Sequence, residues 1–520
     1  AGLAPTAGSE RARPLYRASY EELHNWMKHY ADHPGADRVF ALASKRRPKR
    51  GWKQLTRPKR VSFKLDDPVL RRTIGTGGPK PYFNRTDRSV IKQVRRLVRR
   101  TRPTAALRLI EQHRRRMTPD GRGRAGASVV RGYLSAGLPE KAFAAGRKAA
   151  TNGKGIGAAE AAFLTGIAAE VLGREADARA YFKQAADQAG DSDTGTAASF
   201  WAARSALAAG AYHEVLPYLQ AAAATGPRSY YGILAARQLA WAEPYRWQLP
   251  GMTRDVYLRL SRNAGVRRAI ALNQVGRNDL ADMELRALAR RSNRAGGRAL
   301  LSFATLMNTP ATALRLARYQ RDYVGEVFDA GLFPLAEWAV DPKHRVDRAL
   351  VFAIARRESG FNVRAKSRVG ARGLMQIMPS TARYIGQSGG PKIRHRNELF
   401  NAEQNLAMGG HYVRYLLNQT SPDGNLVEAL VSYNAGPGNA RNWRRRPGGD
   451  DPVLFLETLP SAETRHFAKT VLRNLWMYRS RLDQDAPSLD RMAEGRWPIY
   501  EALDSFDQAD NGQTSTATGQ

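Results

Sequence analysis

Residues 356–384 read RRESGFNVRAKSRVGARGLMQIMPSTARY, and Glu358 is the only carboxylate in this stretch. Leu350, Ile354 and Glu358 are spaced by four residues, so a helix would place the carboxyl on the same face as the two apolar side chains. Gly360 follows two residues later and is a good helix terminator. The sequence therefore predicts an inward-facing acid in the last turn of a helix.

The surroundings of Glu358 predict an elevated pKa for its carboxyl. Partial burial and the negative end of a helix dipole both disfavour the ionised form. Arg356 and Arg357 are adjacent in sequence, but neighbours at these spacings point elsewhere on a helix and need not neutralise the charge. A carboxylic acid that keeps its proton near neutral pH is a candidate general acid. The alternative is a buried structural glutamate paired with an arginine.

Residues 356–384 contain the first two of four sequence motifs. They are ESGFN from residue 358, AKSRVGARGLMQIMPSTA from 365, SYNAGPGNARNW from 432 and ETLPSAETRHFAKTVLRN from 457. Together they resemble the catalytic domain of the soluble lytic murein transglycosylases, over about residues 341–482. The resemblance implies a lysozyme-like fold and cleavage of the β-1,4 bond between N-acetylmuramic acid and N-acetylglucosamine in peptidoglycan.

The resemblance also implies a mechanism that needs one acid. Ordinary glycosidases use two carboxyl groups, about 5–5.5 Å apart for retention and about 6.5–9.5 Å apart for inversion. In the resembled family Glu358 would act first as acid and then as base on the muramoyl 6-hydroxyl, which leaves a 1,6-anhydromuramoyl end. Two alternatives stay open: a hydrolytic muramidase similar to goose-type lysozyme, and a non-catalytic wall-binding scaffold.

Other substrate-binding positions carry over from the resemblance. Ser367 matches a serine that binds the sugar or its substituents, and Tyr433 matches a tyrosine whose hydroxyl reaches the catalytic glutamate. The remaining matched positions are Gln376, Met378, Asn434 and Glu463. Each has a structural alternative: Ser367 as a turn residue, Met378 as core filler and Glu463 as a partner of Arg465 or another basic residue.

The segment from Ser89 to about Ala330 reads as almost wholly helical and contains a weak repeat. Its repeated glycines lie 36, 37 and then 66 residues apart, a helix-hairpin pitch; they are Gly137, Gly173, Gly210 and Gly276. Such hairpins stack into a solenoid. The resemblance implies a superhelical, U-shaped domain, and a tetratricopeptide-like scaffold is the alternative. The predicted fold class is all-α, with the solenoid followed by a lysozyme-like catalytic domain.

The predicted organisation has five parts: an N-terminal helical segment (1–44), a basic loop or linker (45–88), the solenoid (89–330), the catalytic domain (331–484) and a disordered tail (485–520). In the first part we expect two helices. Ser19 is the expected N-cap of the first, and Leu23 and Met27 lie on its apolar face.

The net charge of +36 predicts attraction to polyanions. Residues 41–124 carry 27 Lys and Arg against 5 Asp and Glu. These runs lack a specific nucleic-acid motif, so we expect the basic segment 45–102 to contact an anionic wall or membrane surface. A solvated surface without a partner is the alternative.

The remaining sequence features concern the cellular location of the protein and its need for cofactors. No apolar run of 18 or more residues is present, and there is no cysteine. The chain begins at Ala1, from which we expect an exported, periplasmic protein whose signal peptide has been removed. No HExxH motif or EF-hand loop occurs, so neither a metal nor another cofactor is expected. Protein partners cannot be predicted from the sequence.

Overall fold

The computed structural model describes residues 17–64, 82–340, 346–420 and 424–504. These residues form helices and no strand, as predicted for an all-α chain; the only extended pairings are isolated bridges. None of the described helices is long and apolar enough to cross a membrane. The first eleven are α1 (Tyr20–Tyr30), α2 (Ala36–Lys45), α3 (Arg85–Arg99), α4 (Pro103–His113), α5 (Pro119–Ser135), α6 (Pro139–Asn152), α7 (Gly155–Val171), α8 (Glu175–Ala189), α9 (Asp193–Ala208), α10 (Tyr212–Thr225) and α11 (Tyr230–Gln238).

A second series of helices follows an extended stretch. It comprises α12 (Arg254–Ser261), α13 (Ala264–Gln274), α14 (Asn278–Ala289), α15 (Arg294–Leu306), α16 (Pro310–Tyr319), α17 (Asp329–Leu332), α18 (Arg348–Glu358), α19 (Pro379–Gln387), α20 (Ala402–Leu417), α21 (Leu426–Ala435), α22 (Pro437–Arg444), α23 (Pro452–Thr458), α24 (Ala462–Arg481) and α25 (Pro487–Ala493). Short 3₁₀ turns at Arg114–Arg116 and Glu398–Phe400 and a π-helical turn at Gln320–Val324 complete the helical structure.

The chain divides into two compact units. The first comprises residues 1–73 and 248–336, and the second comprises residues 74–247 and 337–520. This division falls inside the predicted solenoid 89–330, whose last part belongs with the N-terminal residues. The other predicted domain boundaries stay predictions, and part of the predicted linker, residues 65–81, lies outside the described residues.

In the first unit, α1 and α2 are the two predicted N-terminal helices. Ser19 caps α1: its hydroxyl accepts the backbone N–H of Glu22, and the Glu22 carboxylate accepts that of Ser19 at 2.6 Å. Leu23 and Met27 are buried, as the apolar face predicted. Beyond α2, residues 46–64 run without helix or strand, as expected for a basic loop.

In the second unit, α5 to α11 pack in sequence order. Each contacts the next, and α7 also packs on α5 and α9. α7 is buried on nearly every face and consists mostly of alanine and glycine, so its backbone lies close to its neighbours. Gly146 of α6, for example, faces Thr165, and a Cβ there would approach the Thr165 hydroxyl to 2.0 Å.

The repeated glycines end helices in one common geometry. Gly137, Gly173, Gly210 and Gly276 all have φ between +67° and +72°. After α7, the backbone N–H of Gly173 donates to Glu170 and that of Arg174 to Ala169, at 3.0 and 2.9 Å. This is the Schellman pattern, in which the left-handed residue closes the last turn. The predicted repeat therefore marks the turns between helices, although Gly276 lies in the first unit.

The predicted catalytic domain is centred on α24, the longest described helix, against which α18 and α21 pack. The predicted disordered tail is wrong for its first half. Residues 487–493 form α25, with Leu489 and Met492 buried, because the polar sequence carries apolar residues at helical spacing. Residues 505–520 of that tail lie outside the described residues.

We expect Gly173→Ala to lower the stability of the second unit by about 1–2 kcal/mol, because an L-residue pays this cost in the left-handed region. Nothing lies within 4 Å of a Cβ at this position, so the cost is conformational rather than steric. Gly173→Asn is the matched control and should cost less, since asparagine tolerates this conformation. Thermal unfolding of both variants tests this, and equal midpoints for glycine and alanine would contradict it.

Candidate active site

Glu358 lies at the C-terminal end of α18, where the sequence predicted it. Leu350 and Ile354 on its face are fully buried, as expected, while Glu358 itself is half-buried. Gly360 ends the helix with φ of +56°, and Phe361 continues in the left-handed region with φ of +66°. A buried phenylalanine in this conformation is rare, and the sequence did not indicate it.

The start of α18 is fixed by a buried network. Asp347, fully buried, caps the helix by accepting the backbone N–H of Leu350. Its carboxylate also pairs with Arg479 at 2.7 Å and accepts a hydrogen bond from the Tyr500 hydroxyl at 3.0 Å. α18 is thereby attached both to α24 and to the segment after α25.

Burial raises the pKa of Glu358 to about 7. Arg357 opposes the rise, and the negative charge of Glu463 adds to it. The predicted alternative of a structural pair is wrong for the described residues, among which the Glu358 carboxyl has no hydrogen-bond or ion-pair partner. The Arg357 guanidinium instead lies 5.8 Å from the centre of the Phe467 ring.

Tyr433 lies close enough to Glu358 for their charges to interact. Burial, and then the Glu358 charge, raise the pKa of the tyrosine well above its ordinary value. Its hydroxyl, however, donates to the Met375 carbonyl at 2.8 Å, not to Glu358 as predicted. The ring stacks on Phe467 at 5.8 Å between centroids. Tyr433 therefore connects two elements near Glu358: the loop that precedes α19, through Met375, and helix α24, through Phe467.

The turn after Tyr433 follows the sequence prediction. Gly436 has φ of +86° and ends α21, and Pro437 starts α22. The Asn434 side-chain oxygen accepts a hydrogen bond from the Thr464 hydroxyl at 2.7 Å. Asn434 thus holds the end of α21 against the start of α24, and this contact is structural.

Ser367 lies in a tight turn. Its hydroxyl oxygen accepts the backbone N–H of Ala371 at 3.0 Å, and its own N–H donates to the Ala371 carbonyl. The turn role that we gave as the alternative is therefore present in the structure. The hydroxyl proton is not used in this bond and can donate to a ligand.

Gln376 and Met378 lie in the loop that leads into α19. Gln376 has φ of +51°, and its side-chain amide nitrogen donates to the carbonyls of Gly373 and Ala365 at 2.8 and 3.2 Å. Its side-chain oxygen is left to accept from a ligand. Met378 is half-buried at the start of α19, whereas Met375 is fully buried core.

Glu463 is exposed in the first turn of α24. The expected alternative, a pair with Arg465, is wrong, because the buried Arg465 donates to the Leu459 carbonyl. Glu463 makes no ion pair with any residue that the structure describes. Its charge acts instead on Glu358.

Asn405 is a residue that the sequence analysis missed. It is fully buried on α20, accepts the backbone N–H of Met375 at 2.8 Å and donates to the carbonyls of Arg372 and Leu399. Its three bonds hold the carbonyl to which Tyr433 donates. The only signal was a polar residue at an apolar position of a helix.

An aromatic series leads from the surface towards Tyr433. Tyr384 is exposed and its hydroxyl lies 3.0 Å from that of Tyr415; the rings continue through Tyr412, whose centroid is 5.6 Å from Tyr433. The four rings therefore form a continuous series of aromatic contacts. Within the described ranges, no group of three or more acidic or histidine side chains is placed to hold a metal ion.

The Transglycosylase SLT domain model matches residues 339–454, which include Glu358 and Tyr433. This part of the chain is similar to transglycosylase SLT domains. The chain as a whole resembles the soluble lytic murein transglycosylases. Soluble lytic murein transglycosylases of Salmonella typhimurium and Escherichia coli K12 are 39% identical over 141 residues and 37% identical over 154 residues. These alignments cover 27% and 29% of this chain, but only 22% and 23% of the relatives.

Solved structures extend the likeness beyond the SLT domain. An inactive mutant of lytic transglycosylase Slt from Pseudomonas aeruginosa aligns with a TM-score of 0.62 and 26% identity, covering 80% of this chain and 66% of that one. The 70-kDa soluble lytic transglycosylase of Escherichia coli aligns over 92% of this chain and 80% of its own, with a TM-score of 0.54 and 17% identity. At that identity the second likeness supports the fold alone.

The elevated pKa of Glu358 predicts a pH-dependent effect of Glu358→Gln on stability. Burial raises the pKa of this carboxyl from 4.5 to about 7 on folding, so the carboxyl destabilises the fold progressively as pH rises from about 4.5 to 7, fully above pH 7 and hardly at all below pH 4.5. The variant should therefore be more stable than the wild type at pH 8, by on the order of 1 kcal/mol for a partly exposed group.

The measurement is thermal unfolding of both proteins at pH 8 and at pH 4.5. Glu140→Gln removes the same charge from an exposed position on α6 and serves as the control. A stability difference that is the same at both pH values would contradict the raised pKa.

Proposed function

We propose that the protein is a lytic transglycosylase that cleaves the β-1,4 bond between N-acetylmuramic acid and N-acetylglucosamine in peptidoglycan and leaves 1,6-anhydromuramoyl ends. The observation that carries the proposal is Glu358, a half-buried carboxyl with a pKa of about 7 and no described partner. Near neutral pH such a group keeps its proton on about half of the molecules, so it can both give and take a proton.

The proposed reaction uses this one group twice. Protonated Glu358 donates to the glycosidic oxygen as the bond from that oxygen to the muramoyl C1 breaks. The resulting carboxylate then accepts the proton of the muramoyl 6-hydroxyl, while O6 bonds to C1. The proton returns to Glu358 and no water is consumed. The transition state carries oxocarbenium character, and the substrate's N-acetyl group assists at C1.

Neighbouring groups favour the acid form of Glu358. The Glu463 charge raises the pKa, as burial does. The Tyr433 proton is committed to the Met375 carbonyl, so towards a ligand or a protonated acid this hydroxyl presents a lone pair. We assign Ser367, Gln376 and Met378 to the substrate-binding surface, Ser367 as a donor and Gln376 as an acceptor, and Asn434 to positioning.

A hydrolytic muramidase is the second candidate, because a second carboxylate does act on Glu358. Exposed and unpaired among the described residues, Glu463 has the properties of a base that activates water. In that reaction the product would carry a reducing end, and Glu463 would be indispensable.

Glu358→Gln should reduce muropeptide release by at least about 10⁴-fold while the protein stays folded, because the amide cannot donate a catalytic proton and the same group also serves as base. Mass spectrometry of the wild-type products on purified peptidoglycan should show anhydro ends. A variant with a tenth of wild-type activity would contradict the assignment.

Glu463→Gln is the matched comparison. If the protein is a lyase, we expect the variant to keep substantial turnover. The basic limb of its pH profile should move to lower pH, because the variant lacks a charge that raises the pKa of Glu358. Hydrolysis with Glu463 as base expects loss of turnover, and reducing ends in the wild-type products.

We further propose that the protein acts in the periplasm and attaches to an anionic wall or membrane surface through the basic segment 45–102. α3 supports this role. Val90, Ile91 and Val94 are buried on one face, while the opposite face exposes a row of cations; these are Arg88, Lys92, Arg95, Arg96, Arg99 and Arg100. Their attraction to a polyanion is unspecific and screened by salt.

Replacing Arg95, Arg96, Arg99 and Arg100 by glutamine should weaken sedimentation with insoluble peptidoglycan at low salt and leave cleavage of short soluble glycans unchanged. Wild-type sedimentation should fall as salt rises from about 0.1 to 1 M, where the Debye length shrinks from about 10 to 3 Å.

The control for this experiment removes four exposed charges from another part of the second unit; these are Lys141, Arg147, Lys148 and Lys154. It should retain most of the wall binding. Equal loss in both variants would mean that only the net charge matters, and salt-independent binding would refute the electrostatic role.

A further inference from the structure

The first unit contains a cavity of about 430 Å³ that plays no part in the proposed reaction. Three segments form its walls: the turn and first residues of α2 (32–38), the extended residues 58–61, and α14 with the residues that follow it (283–291). Arg315 of α16 completes the lining. The volume is typical of sites for small molecules.

The extended wall is held in place on both sides of the cavity. The Lys59 backbone N–H donates to the Ala31 carbonyl at 2.7 Å. Phe63 is buried, and its carbonyl packs so closely against Gly296 that any larger residue at position 296 would clash with it. The cations of this wall are therefore carried by a fixed backbone and not by a free loop.

The lining is strongly cationic. It contains seven Lys and Arg side chains against two carboxylates, Asp32 and Asp37. Asp32 is engaged by Arg268 at 3.0 Å, and Arg286 pairs with Asp282 at 2.8 Å. The other six cations make no ion pair with any described residue; they are Arg38, Lys59, Arg60, Arg290, Arg291 and Arg315.

The cations also act on one another. Burial, and then the charge of Arg286, lower the pKa of Arg315; Asp282 opposes this, and Arg290 adds to it. The six cations that lack an ion pair among the described residues are solvent-exposed, so water screens part of their mutual repulsion, and an anion between them would remove the rest. α2 begins at the cavity with Gly35 as an N-cap that supplies no side-chain bond, so the positive end of its dipole adds to the field.

We propose that this cavity binds a compact oligoanion of the diphosphate class, either as a free molecule or as a lipid headgroup. Arginine forks arriving from separate walls suit a group with several acceptor oxygens at different orientations. A single carboxylate would leave most of these donors unused. A concave site of this volume selects a compact ligand over an extended polymer.

Isothermal titration calorimetry of the full chain with inorganic pyrophosphate tests the proposal. We expect saturable binding of about one pyrophosphate per chain, weaker binding of orthophosphate, and a loss of at least about tenfold in affinity for Arg290→Gln/Arg315→Gln. A second double variant, Lys59→Gln/Arg60→Gln, removes the cations of the opposite wall and should lose a similar amount.

The matched control is Arg254→Gln/Arg267→Gln, which removes two exposed charges from the same unit outside the cavity. It should bind pyrophosphate within about twofold of the wild type. Thermal unfolding in the absence of pyrophosphate checks that each variant is folded. Absence of saturable binding, or equal losses in the control and the cavity variants, would overturn the proposal.

Vesicles distinguish the two sources of the anion. Vesicles that carry a prenyl diphosphate are compared with phosphatidylglycerol vesicles of equal surface charge. If the diphosphate vesicles sediment the wild type better, and pyrophosphate releases it from them, the ligand is a headgroup. If pyrophosphate binds and the diphosphate vesicles bind no better than the phosphatidylglycerol vesicles, the ligand is a free molecule. Vesicle binding with neither pyrophosphate binding nor competition would place the contact elsewhere and overturn the cavity assignment.

Discussion

The buried ion pair between Asp347 and Arg479 is the contact on which the geometry of the candidate active site depends. Asp347 fixes where α18 starts, and eleven residues later the same helix ends at Glu358. A change at the first position is therefore transmitted along a rigid element to the acid. Removing one partner of a buried pair typically costs about 3–5 kcal/mol, because the other charge is left without compensation.

One fully buried and one half-buried glutamate in the same unit show how surroundings determine chemistry. Burial raises the pKa of both, but Lys469 and Arg131 outweigh it at Glu457, whose pKa falls to about 2. Glu457 also accepts the Tyr231 hydroxyl, so it is ionised near neutral pH and joins α24 to the solenoid helices. Glu358 lacks such partners among the described residues, and its pKa of about 7 leaves its proton exchangeable. The two pKa values differ because Lys469 and Arg131 contact Glu457, whereas Arg357 lies over the Phe467 ring.

The parts of the fold that follow from local pattern could be predicted from the sequence. The glycines of the repeat and the apolar stripe under Glu358 depend on helical spacing alone, and both occur as expected. Asn405, Tyr500 and the basic cavity depend on contacts between distant segments, and no local pattern indicates these. The Tyr433 hydroxyl shows the same limit: the charge of Glu358 does act on this residue, but the hydroxyl donates to the Met375 carbonyl, in a loop that Asn405 holds.

The attachment of residues 500–503 to α18 has a consequence for biosynthesis. The Tyr500 hydroxyl and the Leu503 N–H contact Asp347 across 153 and 156 positions of sequence. Contacts of such long range form late, and a chain emerging from the ribosome cannot make them until these residues have been added. The nascent chain therefore contains Glu358 long before it contains the groups that fix the helix carrying it, so this acid acquires its scaffold only after the chain has been extended to Leu503.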